Sequence, residues 1–305
     1  IEHLIFNKYL KGFKGKIIFT HHHISHASSA FYPSPFNKAA IVTIDAIGEW
    51  SSTSIGFGNN ENIEILKEQR YPHSLGFLYS SFTQYLGFKV DSDEYKIMGL
   101  APYGVPEYVE KIKSEIVKIY EDGSIKIATG FFDFMKNNSM INKKFEDCFG
   151  VKKRTKNETL NNFHYNIASS IQKICEEVVK KITIQAIKLT GSKRVVLAGG
   201  VALNCVANGK LINDKIVSEI WIQPCSGDAG GALGAALYVS YNYLKNKRII
   251  NPIDSQKGSL LGPNFSNDEI KKTLDAFGCK YTYLKSFKKI CEIADNKICD
   301  GNVLG

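Results

Sequence analysis

The run Lys38-Ala39-Ala40-Ile41-Val42-Thr43-Ile44-Asp45 is an apolar strand that ends on a carboxylate. Two more strand-like runs follow, Ser51 to Gly58 and Ile63 to Arg70. The segments between them, Ala46-Ile47-Gly48-Glu49 and Asn59-Asn60-Glu61-Asn62, are competent to turn. The spacing predicts an antiparallel meander with a carboxylate at the mouth of its first turn. Upstream, Gly15-Lys16-Ile17-Ile18-Phe19-Thr20 leads into His21-His22-His23-Ile24-Ser25-His26-Ala27-Ser28-Ser29-Ala30-Phe31. If residues 15–20 form a strand and a helix starts near His21, then His22 and His26 project from one helical face. Pro33 and Pro35 stop that helix.

Downstream, Ser74 to Gly87 reads as a helix closed by glycine. Asp91 to Gly104 reads as a compact loop region carrying Glu94, Lys96, Gly99 and Pro102. Residues from about 105 to 160 look like an insertion, with a helix near Glu107 to Tyr120 and weakly patterned segments after it. A long amphipathic helix fits Asn162 to Leu189. The strand Arg194 to Ala198 then runs into Gly199-Gly200-Val201-Ala202-Leu203-Asn204. A helix (Cys205 to Asn213), a strand (Glu219 to Gln223), the turn Pro224 to Gly231 and a helix (Ala232 to Leu244) complete an α/β unit. The order, meander first and then strands alternating with helices, suits a half-domain of an actin- or hexokinase-like α/β fold over residues 1–250. Residues 251–262 read as a linker, and 263–305 as the beginning of a further domain. The chain opens at Ile1 without methionine and closes inside an apolar run, so a fragment of a longer protein is expected.

With 305 residues, 44% hydrophobic and 23% charged, the composition is that of an ordinary globular protein. No apolar run approaches the length of a membrane span, and no leader peptide is evident. The seven cysteines are scattered without a CxxC pair, which fits reduced thiols in the cytoplasm better than a disulfide frame. The net charge of +9 arises from dispersed lysines interleaved with acids, and no repeated unit of basic and aromatic residues occurs. The expectation is no nucleic-acid partner; a phosphorylated ligand or a lysine-rich surface explains the sign equally well.

Two neutral imidazoles on one helical face suit a transition metal that takes its oxygen ligands from elsewhere. A solvated helix start with several histidines is the plain alternative. Asp45, at a strand end, stands where a sheet rim meets ligands, or simply starts a turn. Asp228, between Gly227 and the helix after Gly230, is either an N-cap or a carboxylate held charged by the helix terminus. Gly199 and Gly200, between a strand and a helix, allow backbone amides to face an anion, or form only a tight turn. Asn204 either caps the following helix or contacts a nucleotide. His73 and Lys96 read as single loop residues with a surface role.

Several blocks occur together in one order: His22-His23-Ile24-Ser25-His26-Ala27, Phe31-Tyr32-Pro33-Ser34-Pro35-Phe36, Asp45 through Trp50, Pro72 through Gly76, Glu94 through Gly104, Ala198 through Asn204, and Gly227 through Gly234. Over residues 15 to 305, apart from the insertion-like stretch, the chain resembles the NodU/CmcH/TobZ-type O-carbamoyltransferases. The resemblance implies an actin-like (ASKHA) transferase domain followed by a YrdC-like α+β domain. The latter makes carbamoyl adenylate from carbamoyl phosphate and ATP; the former moves the carbamoyl group to an acceptor hydroxyl on a small molecule or sugar. His22, His26, Asp45 and Asp228 match the family's metal ligands, with a divalent ion such as Fe(II) expected. Gly48, Lys96, Gly199, Gly200, Asn204 and Gly227 match segments that contact nucleotide or carbamoyl adenylate. A homodimer is compatible with the resemblance.

The chain also departs from the family. The family's first strand, with the histidine proposed as base, would lie before Ile1, and most of the YrdC-like domain after Gly305. Ala46 and Asp93 stand where glycine is usual, and Cys225-Ser226 replaces small residues. Two rival readings share the fold: a transferase of the tRNA-threonylcarbamoyl type, and a noncatalytic nucleotide-binding module. A metalloprotease is disfavoured because His23 occupies the position of the zincin glutamate.

Overall fold

Strand β1 (Lys38–Gly48) is apolar on both sides because both of its faces are covered. It is paired with β2 (Ser51–Asn59), which pairs in turn with β3 (Asn62–Arg70), both antiparallel. The hairpin β4 (Val117–Ile119) and β5 (Ile125–Ile127) forms a small separate sheet. β6 (Arg194–Ala198) and β7 (Glu219–Ile222) add in parallel on the other side of β1, giving the order β3-β2-β1-β6-β7. This computed structural model describes residues 14–136 and 139–305, together with residues 8 and 12. It divides into two compact units, Ile1–Ser259 and Leu260–Gly305.

Among the described residues of the first unit the helices include α1 (His22–Phe31), α2 (Leu75–Tyr85), α3 (Glu94–Leu100), α4 (Val109–Glu115), α5 (Lys143–Phe149), α6 (Asn162–Thr190), α7 (Cys205–Asn213) and α8 (Gly231–Tyr238). Alternate residues of β1 face opposite layers, as the strand period requires. Ala39 and Ile41 pack with Ala27, Ala30 and Phe31 of α1. Ala40, Val42 and Ile44 pack with Leu78 and Phe82 of α2 and with Ile171, Ile174 and Val178 of α6. On the α1 side the same alternation places Thr43 and then Asp45 beyond the apolar pair. The sequence therefore changes from burying α1 to bonding it as the strand nears its end.

Local signals fix the helix ends. Ser74 caps α2 by accepting from the Phe77 amide. Asn161 and His164 form a capping box at the start of α6, and Gly191 in the left-handed region closes it. The segment after Val105 belongs to the main core through Ile112, Ile116, Ile125, Ile127, Phe132 and Phe145.

Four expectations need correction. Residues 15–20 are irregular and partly exposed rather than a strand. The region 91–104 is not a loop but contains α3, with Glu94 in its first turn. That helix spans seven residues and buries only Ile97, too little to display a period. The helix placed at 107–120 ends at Glu115, and Val117 starts the hairpin, whose buried side chains alternate. The helix placed at 232–244 leaves the α form after Tyr238 and continues as a π-turn over Val239–Tyr243.

The second unit holds α9 (Asn267–Ala276), opened by a Ser266–Glu269 capping box, and α10 (Phe287–Cys299), capped by Ser286. It contains no strand among its described residues. Among the described residues no helix is long and apolar enough to cross a membrane.

Candidate metal centre

Helix α1 brings the His22 and His26 rings together at a centroid distance of 4.6 Å, as the four-residue spacing demands. The helix points at the end of β1, where the pairing register shifts between Ile44 and Gly48. There Asp45 Oδ2 lies 2.9 Å from His22 Nε2 and 3.1 Å from His26 Nε2. Asp228 arrives from the turn between β7 and α8, its Oδ1 3.4 Å from His22 Nε2 and 3.5 Å from His26 Nε2. The ligand atoms of these four residues all lie within 4.8 Å of one another. His26 and Asp45 are buried, His22 is partly covered, and Asp228 is exposed.

The electrostatics of this cluster call for a cation. The two Nε2 atoms lie 2.9 Å apart, so at most one of them carries a proton in that contact. The carboxylate oxygens can only accept. Four electron-rich atoms facing one point are stable only with protons or a metal ion between them. The hydrogen bond to Asp45 lifts the His22 pKa above its usual 6.5, prevailing over burial. Burial pushes the Asp45 carboxyl up, yet the hydrogen bonds from His22 and His26 win and hold it well below the usual carboxylate range. The other oxygen, Oδ1, accepts from the Gly200 amide at 3.2 Å, which fixes the carboxylate plane. Two imidazoles and two carboxylates form a donor set suited to a divalent first-row metal, so His22, His26, Asp45 and Asp228 could hold one.

The other residues singled out from sequence fall into two groups. Gly48, Gly199, Gly200 and Gly227 surround the cluster. A Cβ on Gly48 would stand 2.2 Å from His22 Cδ2, so glycine is required for that ring to lie where it does. Gly227 directly precedes Asp228, and its carbonyl accepts from the Gly230 amide. The idea that the Gly199 and Gly200 amides wait for an anion is corrected: Gly199 N–H donates to Ser226 O at 2.8 Å and Gly200 N–H to Asp45. These bonds lock the turn after β6 to the turn that carries Asp228. Asn204 and Lys96 are engaged elsewhere. The Asn204 side chain accepts from Ala207 N–H and exchanges two hydrogen bonds with Gln172, so capping is its observed role. Lys96 pairs with Asp93 at 2.9 Å. His73 is not a bare surface residue: its Nδ1 accepts from the Ile127 amide. Asp228 is the first residue of a 3-10 turn whose cap position is Gly227, so its carboxylate does not serve as the N-cap and faces His22 and His26 instead.

Two features escaped the sequence. Asp91, in the left-handed region at φ 62°, has a carboxyl pushed up by burial and then by Glu94, Asp228 and Asp45, so it faces the same negative field. The acidic run 91–94 was its only signal. His23, next to a ligand, is buried and bonded to Thr43 and to the Ser51 carbonyl, and burial lowers its pKa. Beside the cluster opens a cavity of about 830 Å³ whose lining includes His21, Gly48, Glu49, Trp50, Glu68 and Arg70.

Comparison with known proteins places the chain in a family. Residues 4–237 match the family described as Carbamoyltransferase N-terminus. The chain is 44% identical to an uncharacterised protein of Synechocystis sp., over 95% of this chain and 47% of that protein. It is 33% identical to the nodulation protein NolNO of Sinorhizobium fredii, over 95% of this chain and 40% of that protein. It thus spans about half the length of these relatives. A solved structure, HypF of T. kodakarensis, superposes with a TM-score of 0.41 at 16% identity over 80% of this chain and 38% of that one, too distant to carry weight. The chain belongs to the carbamoyltransferase family.

Proposed function

We propose that this chain provides the transferase part of an O-carbamoyltransferase, moving a carbamoyl group from carbamoyl adenylate, made from carbamoyl phosphate and ATP, to a hydroxyl of a small-molecule or sugar acceptor. The observation that carries the reading is the convergence of His22, His26, Asp45 and Asp228 within a chain of this family. These four residues would hold a divalent ion, with Fe(II) favoured by the family resemblance. When bound, such an ion supplies Lewis acidity toward a carbonyl or phosphate oxygen.

The chain's own residues supply position. Asp45, fixed by the Gly200 amide on one oxygen and by two imidazoles on the other, sets the floor of the site. Gly48, Gly199 and Gly200 let His22, β1 and Asp45 pack tightly around the site, and Gly227, with open space where a side chain would stand, is read as the place where a nucleotide approaches. Lys96, partly exposed, can exchange Asp93 for a phosphate. Asn204 supports the nucleotide edge by holding α7. The cavity past Gly48 and Trp50 is read as the acceptor's place, since bringing two reactants into one cleft contributes much of the rate. Residues 263–305 are read as the opening of the YrdC-like part, and the first 250 as the actin-like part.

The test supplies the full-length protein, the YrdC-like part included, with ATP, isotope-labelled carbamoyl phosphate and a set of hydroxylated metabolites, followed by mass spectrometry. A labelled carbamate ester is expected with the unaltered protein and none with His26→Ala. Equal labelling by both proteins would reject the reading.

A further inference from the structure

His23 lies between the two histidines of the cluster in sequence but takes no part in it. Its ring is 4% exposed and uses both nitrogens. Nε2 lies 2.9 Å from the Ser51 carbonyl, which can only accept, so Nε2 carries the proton. In the neutral ring Nδ1 is then an acceptor, and the Thr43 hydroxyl, 2.6 Å away, donates to it. Having spent its proton, Thr43 accepts from Ser54 Oγ, also at 2.6 Å, across the β1–β2 pair in which Thr43 and Ser54 stand opposite each other. Every polar hydrogen in this buried chain has one possible direction.

Thr43 and Asp45 are two apart on β1 and share a face, while His22, His23 and His26 share the facing side of α1. Two rungs therefore join helix to strand: His23 on Thr43, and His22 with His26 on Asp45. Close packing of α1 on α8, where a Cβ on Gly234 would stand 1.8 Å from Ser25 O, fixes how near the helix lies to α8. The His23–Thr43 rung ties the same helix to β1 directly beside the cluster.

We propose that His23 is a positioning residue for the metal centre, setting through the Thr43–Ser54 chain the rotation of α1 and hence the angle at which His22 and His26 meet Asp45. This rests on the reading of the four-residue cluster as a metal site. Groups hydrogen-bonded to a ligand typically govern metal affinity by about 10- to 100-fold; His23 acts one step further out, through the backbone of α1, so the low end of that range is expected.

The probe is Co(II) alone, titrated into the unaltered protein and into Thr43→Val, Thr43→Ser and His23→Gln, with visible absorption and melting recorded for each. Thr43→Val, nearly the same shape without the hydroxyl, should bind Co(II) at least tenfold more weakly and shift its visible bands. Thr43→Ser, which keeps the hydroxyl, should restore both, and His23→Gln should resemble Thr43→Val. If His23→Gln does not fold, the two Thr43 variants decide alone. Variants that melt earlier yet bind Co(II) with unchanged affinity and spectrum would overturn the positioning role and leave the metal site standing. An unaltered protein that takes up no Co(II) would overturn the metal site itself.

Discussion

His26 is 1% exposed, so its contribution to the cluster is hard to replace from solvent. His26→Ala is expected to abolish stoichiometric metal uptake while leaving the circular dichroism of the fold intact; metal retained by that variant would reject its assignment as a ligand. Acid and base act on the metal-free protein in opposite senses. His22 has a raised pKa, so its stabilisation is full below the unfolded value of 6.5 and is lost as pH rises through the raised value. Asp45 has a lowered pKa, so its stabilisation is present above 3.8 and is lost as pH falls through the folded value. Metal-free protein should thus melt at lower temperature as pH climbs past the His22 transition. Added divalent metal, which requires deprotonated ligands, should reverse that decline. A melting temperature that stays flat through that interval would contradict it. At this scale helix spacing put the two histidines on one face, while strand and turn ends left each aspartate a plain alternative; the family resemblance joined the four, and the structure brings their donor atoms within 4.8 Å. The bonds of His23 were not legible, because they depend on the register between α1 and β1, which no short window contains.

Among elements, the setting of α1 decides the site, and two close approaches maintain it. Gly234→Ala would drive a methyl group into the Ser25 carbonyl and should destabilise by about 1–3 kcal/mol, measurable by urea unfolding. Gly48→Ala meets the His22 ring instead, so metal affinity should fall more than stability. At the far end, the buried Arg248 guanidinium donates to the carbonyls of Phe31, Tyr32, Ser34, Phe36 and Asn60 and lies over the Phe31 ring. It satisfies carbonyls beyond the C-terminus of α1 and is itself unpaired with any acid in these contacts. Arg248→Met should cost about 3 kcal/mol, since several buried acceptors lose a charged donor; a loss below about 1 kcal/mol would show that the contacts are incidental. The strands of the meander and the long helix α6 were readable from apolar period and caps. Residues 15–20 misled because an apolar run says nothing about whether a partner strand is available, and α3 because one buried residue makes no period.

Across the whole molecule, the antiparallel meander and the parallel pair β6–β7 meet at β1, and the cluster sits where their ends converge. Asp45 comes from one half of that sheet and Asp228 from the turn after the other, so the cluster exists only when both are assembled. That junction was foreshadowed by the order of elements, whereas the strand order itself was not, because pairing partners are set by packing over long sequence distances. The net charge of +9 is spread over lysines, some of them paired with acids, as Lys113 is with Glu177 and Lys180 with Asp214. Binding of tRNA with a steep salt dependence would favour the rival RNA-modifying reading; none is expected. The most direct test is anomalous diffraction from crystals of the iron-loaded protein. A single iron peak bonded by His22, His26, Asp45 and Asp228 is expected, whereas loaded iron found elsewhere, with these four side chains turned apart, would contradict the account.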